Sequence, residues 1–559
     1  MAFPLARIAD MICDRLRPET TYGMRCPSGE TASMMRSRHS RDTGCQKTTY
    51  AAFERASPRK HSLSACSSEK HSSLVGKLGR VGYATSLKVP RRGASIMRPM
   101  RGTGGNTVMG RRGRAETQTR PSGTFIDLFA GCGGLSVGLM SAGWRGLFAV
   151  EQDSHAFSTL SHNLIDGHSN SPHRYAWPAW LPKEPFEIKA FLRKYRKRLV
   201  ELRGSVDLVA GGPPCQGFSF AGRRRKDDPR NQLFQHYVAT VRALQPRMLL
   251  MENVRGISVA FHNHQGAGAT PVQRPYSEHI AKSLQKNGYV VFTRLIRGTD
   301  GGVPQLRPRY ILIGIRKDLM NGEACASPFH MLDEVRCRFL QDKKLPLTRP
   351  VTVHQALSDL ESAGSQLIPC EDSPGFMQVR YRRPRTQYQR IMHGRLNGTA
   401  PNSLRLANHT KKTVTRFRTI LNTCRRGVSL SSTDLGRFKL KKHCIVPLHP
   451  MRPSHTLTTL PDDILHYSEP RILTVREYAR LQSFPDWFEF RGNYTTGGSR
   501  RRRQCPRYTQ VGNAVPPFIS ELLGKLLARQ QTFLQTTSGP HRARKTINGR
   551  LRRRIRSSI

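Results

Sequence analysis

The residues with the clearest chemical potential lie in one short segment, Gly211–Phe220, which reads G-G-P-P-C-Q-G-F-S-F. The segment follows an apolar run, Val206–Ala210, that is typical of a buried strand. Two glycines and two prolines end this strand and restrict the backbone immediately before Cys215. Open α/β sheets bind ligands at the carboxyl ends of parallel strands, so Cys215 is a candidate nucleophile. A structural cysteine in a tight turn is the alternative.

An acidic residue is expected close to this thiol. The sequence predicts a helix over Leu233–Leu244 and a strand over Met248–Met251, with Glu252 directly after the strand. Because neighbouring parallel strands end at the same edge of a sheet, Glu252 and Cys215 can converge on one cleft. A carboxylate placed there by chance is the simpler interpretation.

Two arginines are further candidates for the same cleft. Arg307 and Arg309 alternate onto one face as the chain enters a predicted strand, Tyr310–Ile315. Two guanidinium groups that point the same way can hold a phosphate and a base carbonyl. The polar loop Arg223–Phe234 also carries basic residues suited to phosphate contacts. A solvent-facing arginine pair is the alternative.

The segment Phe125–Leu139, F-I-D-L-F-A-G-C-G-G-L-S-V-G-L, predicts a strand, a glycine-rich turn and the start of a helix. Three glycines would let this turn approach a ligand closely: Gly131, Gly133 and Gly134. A second strand, Leu147–Val150, ends in Glu151, which can accept hydrogen bonds from two ribose hydroxyls. The spacing differs from G-x-G-x-x-G, so we predict a nucleoside cofactor without phosphates, such as S-adenosylmethionine.

The composition indicates a polyanionic partner. The 559-residue chain has 92 Lys and Arg against 38 Asp and Glu, a formal net charge of +54. Residues 1–122 carry 23 basic and 8 acidic side chains, and residues 529–559 carry 9 basic and none acidic. More than half of the excess therefore lies on the central body, which favours nucleic acid as the partner. A solvated basic face is the alternative.

Other features narrow the class of protein. The 12 cysteines include no C-x-x-C pair, so we predict neither a zinc module nor a disulfide framework. No apolar run reaches ~20 residues, and the amino terminus does not resemble a signal peptide. We expect a soluble protein of a reducing compartment. Residues 1–122 lack periodicity and are predicted to be mostly disordered, whereas an amphipathic basic helix is predicted over Ile188–Leu202.

These motifs together resemble those of DNA cytosine-5 methyltransferases of the bacterial type II or orphan modification type. F-x-D-L-F-A-G-x-G-G, Glu151, G-G-P-P-C-Q-G-F-S, E-N-V and Q-x-R-x-R occur in the order seen in that family. Two later segments, Arg476–Asp486 and Gln510–Pro517, look like its closing motifs. The resemblance covers roughly Thr124–Leu527, but the third motif is poorly defined, and its acidic adenine-contacting residue, expected within residues 154–205, is not assigned.

The resemblance implies an α/β fold, the Rossmann-like, mostly parallel sheet of S-adenosylmethionine-dependent methyltransferases with a smaller target-recognition lobe. Five divisions are expected along the chain. Residues 1–122 form a basic extension, 123–316 the first part of the catalytic domain, and 317–504 the recognition lobe with its return segment. Residues 505–528 close the catalytic domain, and 529–559 form a basic tail. Within the lobe, the turn-rich stretch from Lys317 to Pro450 would be the variable insert. A helix, Phe518–Leu527, would close the catalytic domain before a solvated tail.

The resemblance also implies roles for the candidate residues. The Cys215 thiolate would add to carbon 6 of cytosine, and Glu252 would contact ring nitrogen 3 and the exocyclic amine. Arg307 and Arg309 would hold the cytosine carbonyl and order the site. Cofactor contacts would come from a larger set: Phe125, Asp127, Gly131, Gly133, Gly134, Glu151, Pro214, Asn513 and Val515. No metal ion is expected.

The expected substrate is double-stranded DNA with the target base flipped out of the helix. A cognate restriction endonuclease or mismatch-repair nuclease would be a functional partner. The enzyme would act as a monomer, and no membrane association is expected. It would be cytoplasmic and associated with the nucleoid in a bacterium, or nuclear in a eukaryote. The alternatives are a tRNA cytosine-5 methyltransferase and a catalytically inactive DNA-binding protein. The full-length insert favours DNA, and the intact catalytic motifs favour an enzyme.

Overall fold

The computed structural model describes residues 121–214, 233–259, 274–320, 326–394, 396, 399–440, 444–495 and 504–537. The predicted nucleophile Cys215 lies outside these ranges, as do residues 223–232 of the predicted phosphate-contacting loop. The prediction of disorder for residues 1–122 also falls almost wholly outside them. The fold and site below are those of the described residues.

A six-stranded sheet forms the centre of the fold. Its strands are β1 Gly123–Leu128, β2 Trp144–Val150, β3 Leu208–Gly211, β4 Met248–Val254, β5 Tyr289–Arg297 and β6 Pro308–Arg316. The order across the sheet is β2-β1-β3-β4-β6-β5. The first four strands are parallel, and β6 runs antiparallel to both of its neighbours. The predicted mostly parallel α/β sheet is confirmed.

Helices and two short strand pairs complete the described chain. The helices are α1 Gly134–Ser141, α2 Ser154–Leu160, α3 Ile188–Lys194, α4 Arg196–Glu201, α5 Leu233–Leu244, α6 Tyr276–Lys286, α7 Leu332–Asp342, α8 Val353–Leu357, α9 Gln387–His393, α10 Lys411–Thr423, α11 Ser432–Arg437, α12 Val475–Leu481, α13 Arg507–Asn513 and α14 Pro517–Thr537. The pairs are β7 Leu367–Pro369 with β8 Met377–Val379, and β9 Val446–Pro447 with β10 Ile464–Leu465. No helix within the described ranges is long and apolar enough to cross a membrane.

Successive residues of β1 belong to different apolar layers. Phe125 packs in the cluster that contains residues of α1, α7, α12 and α14. Ile126 packs in the cluster that contains residues of α3, α5 and α6. Because side chains alternate across a strand, this division shows that helices cover both faces of the sheet. The carboxyl ends of β1, β2, β3 and β4 therefore emerge along one edge between two helical layers.

Several predicted elements differ in extent from the observed ones, and three of these differences bear on the site or on the domain boundaries. The helix predicted over Ile188–Leu202 is two helices, because Tyr195 leaves helical geometry between α3 and α4 while its ring packs on Phe186 and Phe191. Strand β4 continues through Glu252, which lies inside the strand instead of after it. Helix α14 runs to Thr537, so the predicted solvated tail begins inside a helix.

The predicted recognition insert does not form one separate core. Phe339 of α7 packs against Phe518 of α14 with ring centroids 6.0 Å apart. Val353 and Leu357 of α8 lie in the same apolar cluster as Phe125, which we call the main core. A small separate cluster joins Leu360, Val379 and Leu404. A larger one forms around α10 and α11: Phe417, Ile420, Leu430, Phe438, Ile445, Leu465 and Ile472. We call residues 407–445 the small lobe.

Candidate active site

An ion pair joins two of the predicted catalytic residues. Arg309 on β6 places its Nε 2.6 Å from Oε1 of Glu252 on the adjacent strand β4. Both residues are less than one-tenth exposed. Burial lowers the pKa of the Arg309 guanidinium, and the Glu252 carboxylate beside it opposes that shift. The two strands thus fix a charged pair with little freedom at the site edge.

The turn that leads to Cys215 lies directly against this pair. Nδ2 of Asn253 donates to the carbonyl oxygen of Pro213 across 3.1 Å. A Cβ placed on Gly212 would lie 3.4 Å from Oε2 of Glu252. The chain therefore passes beside Glu252 just before the Cys215 position, in agreement with the predicted convergence of the two strand ends. Pro214, partly buried, is the last residue described before the thiol.

Arg307 occupies a different position from Arg309. Its Nη1 and Nη2 donate to the carbonyl oxygens of Leu457 and Gly512 across 3.3 and 2.8 Å. The side chain is almost fully buried, and this burial, together with the charge of Arg309, lowers its pKa well below the usual value. The two predicted arginines therefore have different partners in the fold. Arg307 holds two closing segments in place, and Arg309 contacts the carboxylate.

Two buried glutamines that the sequence analysis did not single out connect the motifs. Nε2 of Gln305 donates to the carbonyl oxygen of Leu481 (3.1 Å) and to Oε1 of Gln482 (3.0 Å), and its Oε1 accepts from the Leu457 amide (2.9 Å). Nε2 of Gln482 donates to the carbonyl oxygen of Val511 across 2.8 Å. An amide can donate and accept at once, which suits it to join several backbones. The sequence could have indicated these two residues, because Gln305 begins the Q-x-R-x-R motif and Gln482 lies within Arg476–Asp486.

The glycine-rich turn and the end of β2 meet at Glu151. Its Oε2 accepts from the Gly131 amide at 2.8 Å, and its Oε1 accepts from the amides of Gln152 and Asp153 at 2.9 and 2.8 Å. Burial raises the pKa of Glu151, and these N–H donors oppose the shift. Gly131 has a φ of +57°, and no atom lies within 4 Å of a Cβ built on it. The turn consequently has open space on this side.

The other two predicted glycines serve packing within the protein. A Cβ on Gly134 would lie 2.4 Å from the carbonyl oxygen of Val515, so this glycine admits the closing segment. A Cβ on Gly133 would lie 2.7 Å from Cδ1 of Leu160, and its φ of +97° sets the start of α1. These two glycines are therefore required for packing within the protein, whereas a Cβ on Gly131 would meet no atom within 4 Å. Val515 is buried, whereas Asn513 at the end of α13 is exposed.

Phe125 and Asp127 are fully buried, which argues against the predicted direct cofactor contacts. The Phe125 ring packs 5.8 Å from that of Tyr175. Ser136 Oγ of α1 donates to Asp127 Oδ2 and lies 2.5 Å from the Tyr175 hydroxyl. Burial raises the pKa of Asp127 to about 7. Asp127 of β1 thus contacts α1 through Ser136, and Phe125 packs on the tyrosine that lies beside the same serine.

Phe129 was missed by the sequence analysis and lies where a ligand contact is expected. It directly follows β1, is partly exposed and has a φ of +60°. A bulky residue with positive φ is strained, and such strain is concentrated at functional positions. The second phenylalanine of F-I-D-L-F-A-G is thus better placed than Phe125 to face the open side of the turn.

One group of potential metal ligands lies outside these motifs. Ligand atoms of His162, His168 and Glu489 come within 4.8 Å of one another. Nη2 of Arg491 lies 2.8 Å from His162 Nε2 and 3.0 Å from Glu489 Oε2. A cation at this position would have to displace a guanidinium group, so we assign the group to an ion-pair network.

Comparison with known proteins agrees with the site geometry. The family model for C-5 cytosine-specific DNA methylases matches residues 123–529. The chain is 30% identical over 442 residues to the type II methyltransferase M.XorII of Xanthomonas oryzae pv. oryzae, covering 73% of this chain and 84% of that protein. It is 29% identical over 417 residues to the type II methyltransferase M.DdeI of Desulfomicrobium norvegicum, covering 72% and 88% respectively.

A solved structure supports the same assignment. The crystal structure of an Escherichia coli prophage-encoded DNA modification methyltransferase matches with a TM-score of 0.50 and 26% identity, covering 73% of this chain and 99% of that one. The ordered motifs, the sheet and the matched family model agree, and the family model describes DNA methylases. The chain therefore belongs to the C-5 cytosine-specific DNA methylase family and is a DNA (cytosine-5-)-methyltransferase.

Proposed function

We propose that the protein transfers a methyl group from S-adenosylmethionine to carbon 5 of a flipped-out cytosine in a specific duplex DNA sequence, through a covalent adduct of Cys215 at carbon 6. The contact between the Pro213 turn and the strand that carries Glu252 is the observation on which this proposal chiefly depends. It brings the chain next to a carboxylate–guanidinium pair immediately before the thiol.

The residues present fit S-adenosylmethionine. Gly131 leaves space that a Cβ would fill, and the Glu151 carboxylate supplies acceptors suited to ribose hydroxyls. The partly exposed ring of Phe129 is suited to stack on a flat base, and Pro214 and Asn513 complete the candidate contacts. When bound, this cofactor supplies an electrophilic methyl group on a sulfonium. We assign these five residues to its binding.

The role of Cys215 is to activate carbon 5 of cytosine. Carbon 5 of cytosine is a poor nucleophile, so it needs activation before it can accept a methyl group. Attack of the Cys215 thiolate forms a sulfur–carbon 6 bond and moves the ring π electrons toward carbon 5. Carbon 5 uses this electron pair to bond the methyl group. Loss of the carbon 5 proton then returns an electron pair to the ring, and the thiolate leaves carbon 6.

Glu252 is placed to assist the addition step. Arg309 holds Oε1 of Glu252, while Oε2 lies on the side of the Gly212 turn. A carboxyl group there can contact ring nitrogen 3 and the exocyclic amine of cytosine, which stabilises the ring as negative charge develops. The neighbouring Arg309 guanidinium can also approach the base carbonyl. Because a duplex hides these atoms, the cytosine must leave the base stack.

The names of the relatives support a proposal on sequence selection and biological setting. M.XorII and M.DdeI are named type II methyltransferases. We therefore propose that this protein is a site-specific modification enzyme whose functional partner is a cognate nuclease, and that it acts as a monomer.

The proposal is tested by replacing Cys215 and a matched cysteine. Cys215→Ser should abolish methyl transfer and the covalent complex with 5-fluorocytosine DNA, while binding of S-adenosylmethionine persists. Cys337→Ser, on the partly exposed face of α7, should retain both activities. Bisulfite sequencing of DNA exposed to the parent protein identifies the methylated sequence. A covalent adduct that persists in Cys215→Ser would refute the mechanism, and absence of any methylated site would refute the function.

A further inference from the structure

A basic cavity lies where the small lobe meets the segment that returns to the sheet. It has a volume of about 380 Å³ and is lined by Arg425, Arg426, His449, Pro450 and Arg452. No acidic residue lines it, and among the described residues no carboxylate forms an ion pair with any of the three arginines. Burial and the charges of Arg452 and Arg426 lower the pKa of His449. The cavity therefore concentrates positive charge that the protein itself does not neutralise.

Gly427 gives the cavity a defined shape. Its amide donates to the carbonyl oxygen of Pro447 across 2.7 Å, and its carbonyl oxygen lies 2.6 Å from Nε2 of His455. It has a φ of +75°, and an added Cβ would lie 2.9 Å from Cβ of His449. Only glycine fits this approach, so the two arginines before Gly427 are held against His449 by the fold.

The cavity is also tied to the chain that precedes the catalytic arginine. Arg452 follows Pro450 on a segment whose Ser454 amide donates to the carbonyl oxygen of Pro304 at 2.9 Å. The Leu306 amide donates back to the carbonyl oxygen of Ser454 at 2.8 Å. Because Leu306 is three residues from Arg309, a group held in the cavity has a fixed register relative to the Glu252–Arg309 pair.

We propose that this cavity seats one backbone phosphate of the DNA substrate. The inference deepens the proposed function, because it assumes that duplex DNA is presented to the Glu252–Arg309 pair. Planar guanidinium forks match the oxygens of a phosphodiester, and several arginines around one cavity supply them from two chain segments. Phosphate contacts fix the position of a duplex but carry no sequence information. The cavity therefore sets register and affinity, and base reading occurs elsewhere.

Salt dependence of DNA binding by the full chain provides the first test. Neutralising one phosphate changes the slope of log K against log salt concentration by about 0.9. Arg425→Ala and Arg452→Ala should each weaken binding on all duplex sequences alike and reduce the slope by up to that amount. Arg418→Ala, an equal loss of charge at an exposed position of α10 in the same lobe, should keep the parent slope. Equal slope changes in all three variants, or none in the first two, would overturn the proposal.

Neutral methylphosphonate groups placed singly along a duplex provide the second test. One backbone position should weaken binding by the parent protein and have no further effect on Arg452→Ala, whereas Arg418→Ala should behave as the parent. If no position loses its effect in Arg452→Ala, or if inorganic phosphate fills the cavity without weakening DNA binding, the assignment fails. Thermal unfolding of each variant controls for its fold. These measurements need binding only, so a parent that binds DNA without methylating it would refute the proposed function and leave the cavity testable.

Discussion

The side-chain amide of Asn253 donates to the backbone carbonyl of Pro213 across 3.1 Å, and so ties β4 to the turn that ends β3. Oδ1 of the same amide accepts from the Val254 amide at 2.8 Å, which fixes its orientation. Glu252 precedes Asn253, and Cys215 follows Pro213 by two residues. Asn253 is therefore a positioning residue that links the two candidate catalytic groups through neighbouring backbone.

Removal of this amide should slow methyl transfer and leave DNA affinity unchanged. A hydrogen bond of this kind contributes ~0.5–1.5 kcal/mol, so we expect Asn253→Ala to reduce the single-turnover rate by roughly 2- to 10-fold. Asn287→Ala removes a similar amide-to-carbonyl bond at the end of α6 and should leave the rate unchanged. Equal rates for Asn253→Ala and the parent would show that the turn is held by other contacts.

Asp127 should make the stability of the protein depend on pH. Its folded-state pKa is about 7 against an ordinary value of 3.8, so the native state keeps a proton that the unfolded chain releases. Stability from this group is therefore complete below about pH 4 and is lost as pH rises to about 7, by ~4 kcal/mol at most. As pH rises through this range, the parent should lose unfolding free energy that the Asp127→Asn variant does not lose. Urea unfolding at pH 4.5, 6 and 7.5 measures it, and parallel profiles would contradict the assignment.

A buried charge network around Arg480 joins the closing motif to the segment before the small lobe. Nε of Arg480 donates to Asp486 at 2.6 Å, and Nη2 donates to Asp359 at 3.1 Å, with all three side chains fully buried. Although burial alone would raise the pKa of Asp486, Arg480 holds it below its usual value. Arg480 therefore supplies one positive charge to two buried carboxylates, and Arg476, 3.9 Å from Asp486, supplies a second.

Loss of this guanidinium should destabilise the fold strongly. Arg480→Leu removes the closest cation from two buried carboxylates and leaves Asp486 with the Tyr381 hydroxyl and a 3.9 Å pair to Arg476. We expect a loss of ~3–5 kcal/mol in unfolding free energy near neutral pH. The deficit should shrink at acidic pH as the carboxylates take up protons. Arg529→Leu breaks only an exposed pair with Glu334 and should have little effect. Urea unfolding of both variants compares them, and similar losses would show that Arg480 is not the organising charge.

The local chemistry of the site was predictable from sequence, and the long-range packing was not. The strand–turn–helix at Phe125–Leu139 and the place of Glu252 beside the thiol turn follow from apolar runs broken by glycine and proline. The same reasoning cannot separate Gly131, which is open, from Gly134, whose neighbour Val515 lies far along the chain. Likewise the sequence alone does not indicate that Arg480 is buried, because its partner Asp359 lies 121 residues away in the chain.

The last prediction concerns the part of the chain that selects the DNA sequence. Residues 317–450 were predicted to form one exchangeable insert, but α7 and α8 pack in the main core and Asp359 pairs with Arg480. The small lobe, residues 407–445, instead supplies most of a separate apolar cluster, to which Leu465 and Ile472 of the return segment also belong. Replacing only these residues with the corresponding segment of a relative should change the methylated sequence and preserve the main core.

Bisulfite mapping of DNA exposed to this chimera decides the outcome. The exchange leaves Glu252, Arg309 and Asp359 in place, so methyl transfer should persist within about tenfold of the parent rate. Exchanging residues 317–450 should lower stability more, because it replaces the partners of α14 and Arg480 as well. An active chimera that still methylates the parent sequence would place base reading outside the small lobe. The loop Arg223–Phe234 would then be the next candidate, since it follows Cys215 closely in the sequence and its polar and basic residue types suit contacts to DNA.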